Sequence, residues 1–172
     1  MSDFESASAQ QHREQAPDSV ACAVITVSDT RTLDDDRSGA EIVTRLEAIG
    51  HRVVERTVVP DEPDILAEVV SQFAEAEHVD AILLTGGTGI APRDRTPETV
   101  RRLLSAEIPG YGELFRMLSY EEIGPAAMLS RALGGVIGDT VVLLMPGSTA
   151  AVRLAMEKLI CPELAHLVEH AR

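Results

Sequence analysis

The sequence predicts a three-layer α/β/α fold built around a mostly parallel β-sheet. Three short segments, residues 20–27, 81–84 and 141–145, are apolar without alternation, and each stops at small or polar residues. Such segments are typical of strands that are buried on both faces. Between them, apolar residues recur with the spacing of amphipathic helices. Strands that alternate with helices are the pattern of a parallel sheet between two helical layers.

We expect a single folded domain, residues 20–172, preceded by a flexible tail. The tail, residues 1–19, is polar, rich in Ser, Gln, Asp and Glu, and has no hydrophobic periodicity. The rest of the chain is long enough to bury a sizeable core, and it contains no internal repeat that would indicate a second domain.

In the first half of the domain, β-branched apolar segments predict strands, and apolar residues at helical spacing predict helices. Glycine and proline mark the points where these elements stop. In order, the predicted elements are a strand at 20–27, a helix that Ser38 and Gly39 open and Gly50 ends, a more peripheral strand at 52–59 and a helix at 64–76.

The second half of the domain contains the central strand and several shorter helices. Glycine and proline predict a turn at 108–112 and a helix break at 124–125. Ser148 follows the last strand and is a suitable N-cap. In order, the predicted elements are the strand at 81–84, helices at 97–104 and 113–120, a short helix at 126–132, the strand at 141–145, a helix at 149–160 and a terminal helix that Pro162 starts.

Three glycines within four positions follow the central strand, in residues 85–89 (Thr-Gly-Gly-Thr-Gly). Glycine permits positive φ and lets a ligand approach backbone N–H groups that face an anion. Farther along, Thr96, Pro97 and Glu98 predict a helix start with Thr96 as the N-cap. Taken alone, such a loop is more often a tight turn, and it matches neither the Walker loop nor the dinucleotide-binding fingerprint.

The composition argues against several kinds of partner. With 28 acidic and 15 basic residues the formal net charge is −13, so we expect neither a nucleic acid nor a membrane as a partner. No apolar run approaches the length of a membrane span, and the N-terminus lacks the apolar region of a signal peptide. Cys22 and Cys161 have no metal-ligand spacing, which predicts free thiols in a cytoplasmic protein.

Polar loops follow the predicted strands, and we expect these loops to meet at one edge of the sheet, where ligands bind in such folds. They supply hydroxyls, backbone donors and carboxylates, of which Asp61 and Asp94 suit a phosphate bridged to the protein by a divalent cation such as Mg²⁺. This inventory favours nucleotide phosphoryl or nucleotidyl chemistry. The residues are Ser28, Asp29, Asp61, Thr85, Gly86, Gly87, Thr88, Gly89, Asp94, Pro146, Gly147 and Ser148.

Three of the polar residues have a purely structural alternative. Asp94 is alternatively a loop acid paired with Arg93 or Arg95, and Asp61 alternatively caps the following helix. Ser130 lies among small and apolar residues, where a buried hydroxyl bonded to backbone is the more common outcome. A Ser-His-Asp hydrolase is not supported, because no histidine lies near a candidate nucleophile in the sequence and the G-x-S-x-G motif is absent.

Taken together, the motifs resemble those of the molybdenum cofactor biosynthesis family that includes MoaB, MogA and the plant Cnx1 G domain. The resemblance runs in order through residues 20–168, and residues 115–124 are similar to the MoaB branch in particular. The matching motifs are VSDT at 27–30, DRSG at 36–39, VPDE at 59–62, TGGTG at 85–89, PRDRTPE at 92–98, AMLSR at 127–131 and MPGS at 145–148.

The resemblance implies a molybdopterin-binding fold that assembles as a homotrimer or, in the MoaB branch, often as a homohexamer. It also implies adenylyl transfer, in which the terminal phosphate of molybdopterin attacks the α-phosphate of Mg·ATP and pyrophosphate is released. Asp61 and Asp94 would be the essential acids near the metal, and Ser130 the functional serine. The substrate- and phosphate-binding residues would be Ser28, Asp29, Ser38, Thr85 to Gly89, Glu98 and Pro146 to Ser148.

Two functions of different classes share these motifs. The first is a molybdopterin adenylyltransferase, and the alternative is a protein that binds molybdopterin or a precursor without adenylylating it. Other proteins of the same biosynthesis are further candidate partners. Arg95 stands where the family usually has a small or β-branched residue, so a cation there either alters phosphate affinity or faces solvent.

Overall fold

A six-stranded β-sheet with helices on both faces forms the centre of the chain in the computed structural model, which describes residues 16–172. Residues 1–15, most of the predicted tail, lie outside the described part, so the division into a tail and one domain stays a prediction. The strands are β1 (Ala21–Val27), β2 (Arg52–Val59), β3 (Ala81–Thr85), β4 (Ala106–Glu107), β5 (Leu133–Ile137) and β6 (Thr140–Met145).

Six α-helices in residues 16–172 connect and cover these strands. A 3₁₀ turn (Gly124–Leu129) leads from the fourth helix towards β5, and a turn of π-helix (Met156–Ile160) joins the fifth helix to the sixth. The helices are α1 (Arg37–Ala48), α2 (Pro63–Ala74), α3 (Thr96–Leu103), α4 (Pro109–Ile123), α5 (Thr149–Ala155) and α6 (Cys161–Ala171).

The order of strands in the sheet is β2-β1-β3-β6-β5-β4. The first four strands are parallel, whereas β5 and β4 are antiparallel to their neighbours. The predicted mostly parallel α/β fold is therefore confirmed. The chain runs from β1 outward to β2 and then returns past β1 to β3, so the direction of winding changes between β1 and β3. In open α/β sheets this switch point is where a crevice forms at the carboxyl ends of the strands.

Alternate residues of the central strands pack into two separate apolar layers, as a period of two requires. On one face, Cys22 and Val24 of β1 pack with a cluster that contains Ile42 and Leu46 of α1 and residues of α4, α5 and α6. On the other face, Ile25 belongs to a cluster with residues of α2 and α3. The sheet is consequently buried on both sides, which explains why its parallel strands are apolar without alternation.

The antiparallel edge of the sheet was not predicted, and two expectations near it are wrong. The predicted helix at 126–132 is instead a 3₁₀ turn followed by an extended chain into β5, and the predicted turn at 108–112 mostly forms the start of α4. Two adjacent glycines in β5 conceal the strand pattern. A Cβ on Gly135 would lie 2.5 Å from the carbonyl oxygen of Ala106, so the close pairing of β4 with β5 requires glycine there.

One helix cap was not predicted, and one predicted cap differs. Asp36 caps α1, since its carboxylate accepts a hydrogen bond from the Gly39 amide at 2.9 Å. Thr96 lies inside the first turn of α3 and its hydroxyl does not cap the helix. The predicted cap by Ser148 is confirmed, because its hydroxyl accepts from the amide of Ala151 at 3.2 Å. Both cysteines are free, as expected.

Replacement of Asp36 by alanine is expected to destabilise the fold by about 1–3 kcal/mol. Asp36 is 3 % exposed, and its carboxylate accepts hydrogen bonds from Thr26, Gly39 and Arg56. Its removal leaves these donors without that acceptor. Urea unfolding of D36A measures the loss. The matched control is D34A in the same loop, which should change stability by less than about 0.5 kcal/mol; an equal loss in both variants would contradict this role of Asp36.

Candidate active site at the carboxyl edge of the sheet

A cleft of about 300 Å³ opens at the switch point between β1 and β3. Its walls come from the ends of these two strands, from the start of α1 and from the loop after β6. It contains hydroxyl groups and glycine backbone on one side, and two arginines that the sequence analysis did not single out, Arg31 and Arg37. The predicted site residues that line the cleft are Ser28, Ser38, Thr85, Gly86, Gly147 and Ser148.

Backbone contacts hold the loops of the cleft close together. Gly86 has φ +101°, and a Cβ there would lie 2.3 Å from the carbonyl oxygen of Val27. A Cβ on Gly147 would in turn lie 3.2 Å from the Cα of Gly86. The Thr85 hydroxyl donates to the carbonyl oxygen of Pro146 at 3.0 Å, and the Ser38 hydroxyl donates to that of Gly147 at 2.8 Å. The loops after β1, β3 and β6 therefore form one continuous backbone surface.

The glycine loop, residues 86–89, also brings the carboxylates of Asp61 and Asp94 into the same neighbourhood. Gly87 has φ +61°, and a Cβ there would lie 3.2 Å from Asp61 Oδ1. A Cβ on Gly89 would lie 2.4 Å from Asp94 Oδ2, which accepts a hydrogen bond from the Ala91 amide at 3.1 Å. A side chain on Gly89 would collide with Asp94, and one on Gly87 would collide with the hydroxyl of Thr96 and crowd Asp61. Glycine, which also tolerates the positive φ of Gly87, therefore suits this close approach.

Several neighbouring carboxylates act on the charge of Asp61. Burial is the main cause that raises the pKa of Asp61, and repulsion from Asp94 and Asp29 raises it further. The nearby Arg93 opposes this shift only in part. A cation placed between Asp61 and Asp94 would remove the repulsion and favour the charged carboxylates.

The structural alternatives for Asp61 and Asp94 are both wrong. The cap position of α2 belongs to Glu62, and no side chain caps that helix. Arg93 donates to both carboxylate oxygens of Asp29, at 2.7 and 3.0 Å, and to Glu62. Among residues 16–172, Asp94 forms no ion pair with Arg93 or Arg95, and Arg95 is exposed.

Asp29 binds the backbone of Asp61 and does not line the cleft. Its Oδ1 accepts a hydrogen bond from the Asp61 amide at 3.1 Å, and Arg93 grips the same carboxylate. The hydrogen bond from Arg93 is the main reason that the pKa of Asp29 lies below its usual value. This contact links the loop after β1 to the loop after β2. Its predicted role in ligand binding stays a prediction.

Ser130 lies beside the cleft rather than in it. It borders a small depression with Pro146 and Ser148, and a second one with Arg101, Arg116 and Arg131. The residue is half-buried, and its hydroxyl has no hydrogen-bond partner in the part of the chain that the structure describes. The alternative of a buried hydroxyl bonded to backbone is therefore wrong, while the predicted functional role of Ser130 stays a prediction.

Besides Arg31 and Arg37, two residues near the site were missed as functional candidates. Arg131 donates to the backbone of the glycine loop and forms an ion pair with Glu98, the remaining predicted binding residue. Thr96 is fully buried beside Gly87, and its hydroxyl has no protein partner in the described residues. In the sequence both are ordinary members of their motifs. Their contacts join segments that are distant along the chain, and no local pattern reports them.

The donor set fits a magnesium ion only if a substrate completes the coordination. Among residues 16–172, no group of three or more His, Cys, Asp or Glu side chains is arranged to hold a metal ion. Asp61 and Asp94 supply two carboxylates. Magnesium in nucleotide sites takes one or two carboxylates together with phosphate oxygens and water, so this pair is sufficient for that kind of binding.

Fold and geometry together define a class of protein: a doubly wound α/β domain with a polar cleft at its switch point. The family described as a probable molybdopterin binding domain matches residues 23–166. The chain belongs to this family, which confirms the resemblance seen in the motifs. In the described part of the chain, no helix is long and apolar enough to cross a membrane.

Individual relatives agree with this assignment. Molybdenum cofactor biosynthesis protein B of Bacillus subtilis is 54 % identical over 166 residues, which cover 96 % of this chain and 98 % of the relative. A crystal structure of a molybdenum cofactor biosynthesis protein B has a TM-score of 0.88 at 51 % identity, over 91 % of this chain and 98 % of that one. The molybdopterin biosynthesis enzyme MoaB of Thermus thermophilus has a TM-score of 0.78 at 38 % identity, over 88 % and 96 %.

The raised pKa of Asp61 predicts that D61N melts at a higher temperature than the wild type at neutral pH without added metal. A carboxyl with a raised pKa binds its proton more tightly in the folded state, so the native state loses stability as pH rises through the folded pKa. The gain from D61N should shrink as pH falls through the folded pKa, and it should vanish well below the ordinary pKa of 3.8, where the carboxyl is protonated in both states. Thermal melts of D61N and the wild type from neutral to acidic pH measure the difference in melting temperature. A difference that is independent of pH would contradict the electrostatic cause.

Proposed function

We propose that this protein adenylylates molybdopterin in a reaction that depends on Mg²⁺ and ATP and releases pyrophosphate. The observation that carries the proposal is the close approach of the glycine loop to Asp61 and Asp94, next to Gly86, which lines the cleft. Such a site combines donors for a phosphate with carboxylates for the metal that phosphates bring. Membership of a molybdopterin-binding family supports the identity of the substrate.

The proposed reaction is a nucleotidyl transfer. An oxygen of the terminal phosphate of molybdopterin forms a bond to the α-phosphorus of ATP. The bond from that phosphorus to the bridging oxygen of the β-phosphate breaks, and pyrophosphate leaves with the electron pair. When bound, Mg²⁺ supplies charge neutralisation on the phosphate oxygens.

The residues of the chain would contribute mainly by positioning and electrostatics, as is usual for phosphoryl and nucleotidyl chemistry. The amides of Thr88 and Gly89 have no acceptor within residues 16–172, so they are suited to an oxyanion. The hydroxyls of Ser28 and Ser148 line the cleft and would orient the ligand. Asp61 and Asp94 would hold the metal, and Ser130 would act at the border of the site next to Ser148.

One observation favours the second candidate, a protein that binds molybdopterin or a precursor without adenylylation. Asp61 and Asp94 do not by themselves form a metal site, and Ser130 lies outside the main cleft. Binding of a pterin phosphate by the glycine loop requires neither a metal ion at Asp61 and Asp94 nor Ser130 in the cleft. The two functions therefore differ in nucleotide consumption and not in pterin affinity.

A single-turnover assay with molybdopterin, ATP and Mg²⁺ distinguishes the transferase from the binding protein. The transferase forms adenylyl-molybdopterin and pyrophosphate, and D94N should slow the reaction by about 100-fold to 1,000-fold because one charge-neutralising group is lost. D64N is the matched control, since Asp64 is an exposed acid in the first turn of α2 and should have little effect. Tight molybdopterin binding without product in the wild type would contradict the transferase and leave the binding protein.

We further propose that the protein forms a homotrimer or homohexamer, located in the cytoplasm, in which α4 contributes to an interface between copies of the chain. One side of α4 and the turn after it exposes large apolar side chains, a pattern that marks protein–protein contacts. The exposed fractions are 47 % for Leu114, 55 % for Met117, 60 % for Tyr120, 56 % for Ile123 and 81 % for Met128.

Replacement of Met117 by glutamate is expected to lower the molar mass in solution, because a charge buried at an interface without a partner is costly. Light scattering after size-exclusion chromatography measures the mass. E121Q on the same helix is the control, and it should keep the mass of the wild type. An unchanged mass for M117E would exclude this side of α4 from the interface.

A further inference from the structure

The guanidinium of Arg131 holds three backbone carbonyls of one loop. Its Nε donates to the carbonyl oxygen of Thr88 at 3.1 Å, and its Nη2 donates to those of Asp94, at 2.6 Å, and Gly89. Its Nη1 forms an ion pair with Glu98 in the first turn of α3. One side chain thereby ties the glycine loop to the segment that carries Asp94.

Arg131 is presented to the loop from a well-anchored part of the chain. The preceding 3₁₀ turn ends with the amide of Ser130 donating to the carbonyl oxygen of Ala127 at 3.0 Å. Two residues after Arg131, β5 begins and pairs with β6 in the sheet. The side chain itself is about three-quarters buried. The guanidinium is thus a fixed group, whereas the glycine loop has no regular secondary structure of its own.

This arrangement determines the direction of the loop amides. In a trans peptide the carbonyl and the N–H of the next residue point in opposite directions, and the described backbone contains no cis peptide. When Arg131 holds the carbonyls of Thr88 and Gly89, the N–H groups of Gly89 and Ile90 must point away from it. The carbonyl of Gly87 accepts from the Thr96 amide at 3.2 Å, so the Thr88 N–H points away from the start of α3.

The three consecutive amides of Thr88, Gly89 and Ile90 donate to no acceptor among residues 16–172. Successive backbone N–H groups that point outward form an anion-binding concavity. The positive charge of Arg131 lies behind these peptides, where it favours an anion without contacting it. A lysine in its place would keep the charge, but its ammonium lacks the planar fork that reaches several carbonyls at once.

We propose that Arg131 is a positioning residue that fixes the conformation of the glycine loop and of Ile90 after it. In this conformation the amides of Thr88, Gly89 and Ile90 face the phosphate of the ligand. This inference rests on the proposed function, in which the glycine loop binds the terminal phosphate of molybdopterin. Arg131 acts through the loop and does not touch the phosphate.

The test compares the affinities of each protein for molybdopterin and for the same pterin after removal of its terminal phosphate, measured by fluorescence titration. The ratio of the two affinities isolates the contribution of the phosphate. We expect R131K to lower this ratio by about tenfold, equivalent to about 1.4 kcal/mol, and to bind the dephosphorylated pterin as the wild type does. R101K is the matched control, because Arg101 pairs with Glu107 and makes no hydrogen bond to the glycine loop.

A purely structural role would weaken both ligands in R131K by the same factor, and that result would overturn the inference, as would an unchanged ratio. If the wild type itself binds both pterins equally, the glycine loop does not hold the phosphate, and the proposed site fails together with this inference. A wild type that prefers the phosphorylated pterin, with an unchanged ratio in R131K, would reject the role of Arg131 alone.

Discussion

The close approach of Gly86 to the carbonyl of Val27 is the constraint on which the site depends. A Cβ at Gly86 would lie 2.3 Å from that oxygen, so only glycine lets the loop after β3 turn against the end of β1. Gly147 then packs on Gly86, which brings the loop after β6 to the same point. The parallel register places the carboxyl ends of β1, β3 and β6 side by side. The two glycines let the loops that follow pack closely, so that backbone lines the cleft.

Charge is distributed unevenly around this cleft, and that distribution explains what it is suited to bind. Asp61 and Asp94 repel each other beside the glycine loop, while the guanidiniums of Arg93 and Arg131 are engaged by other groups. The two neighbouring carboxylates favour a cation, and the amides of the loop that have no acceptor within residues 16–172 favour an anion. A phosphate with a bound metal ion provides both charges, whereas a neutral ligand provides neither and a free metal ion provides only the cation.

The sequence predicts the parallel core of this fold and the location of the site well, because both depend on local patterns. Buried strands are continuous apolar runs, and the glycine loop follows one of them directly. The antiparallel edge was missed because Gly134 and Gly135 interrupt the apolar pattern of β5. Packing against Tyr111 is tight at Gly134, and the Ala106 carbonyl excludes a side chain at Gly135. The cap by Asp36 and the contacts of Arg131 were also missed, since they depend on which distant groups the tertiary fold brings within reach. The roles of Asp61, Asp94 and Ser130 came from the family resemblance and from chemistry, and geometry alone does not assign them.

A crystal structure with molybdopterin, Mg²⁺ and a non-hydrolysable ATP analogue tests the central claim most directly. The account predicts that the terminal phosphate of the pterin accepts hydrogen bonds from the amides of the glycine loop. It also predicts that the metal ion bridges phosphate oxygens to Asp61 and Asp94. A pterin phosphate bound away from residues 86–90, or a metal ion that contacts neither acid, would contradict it.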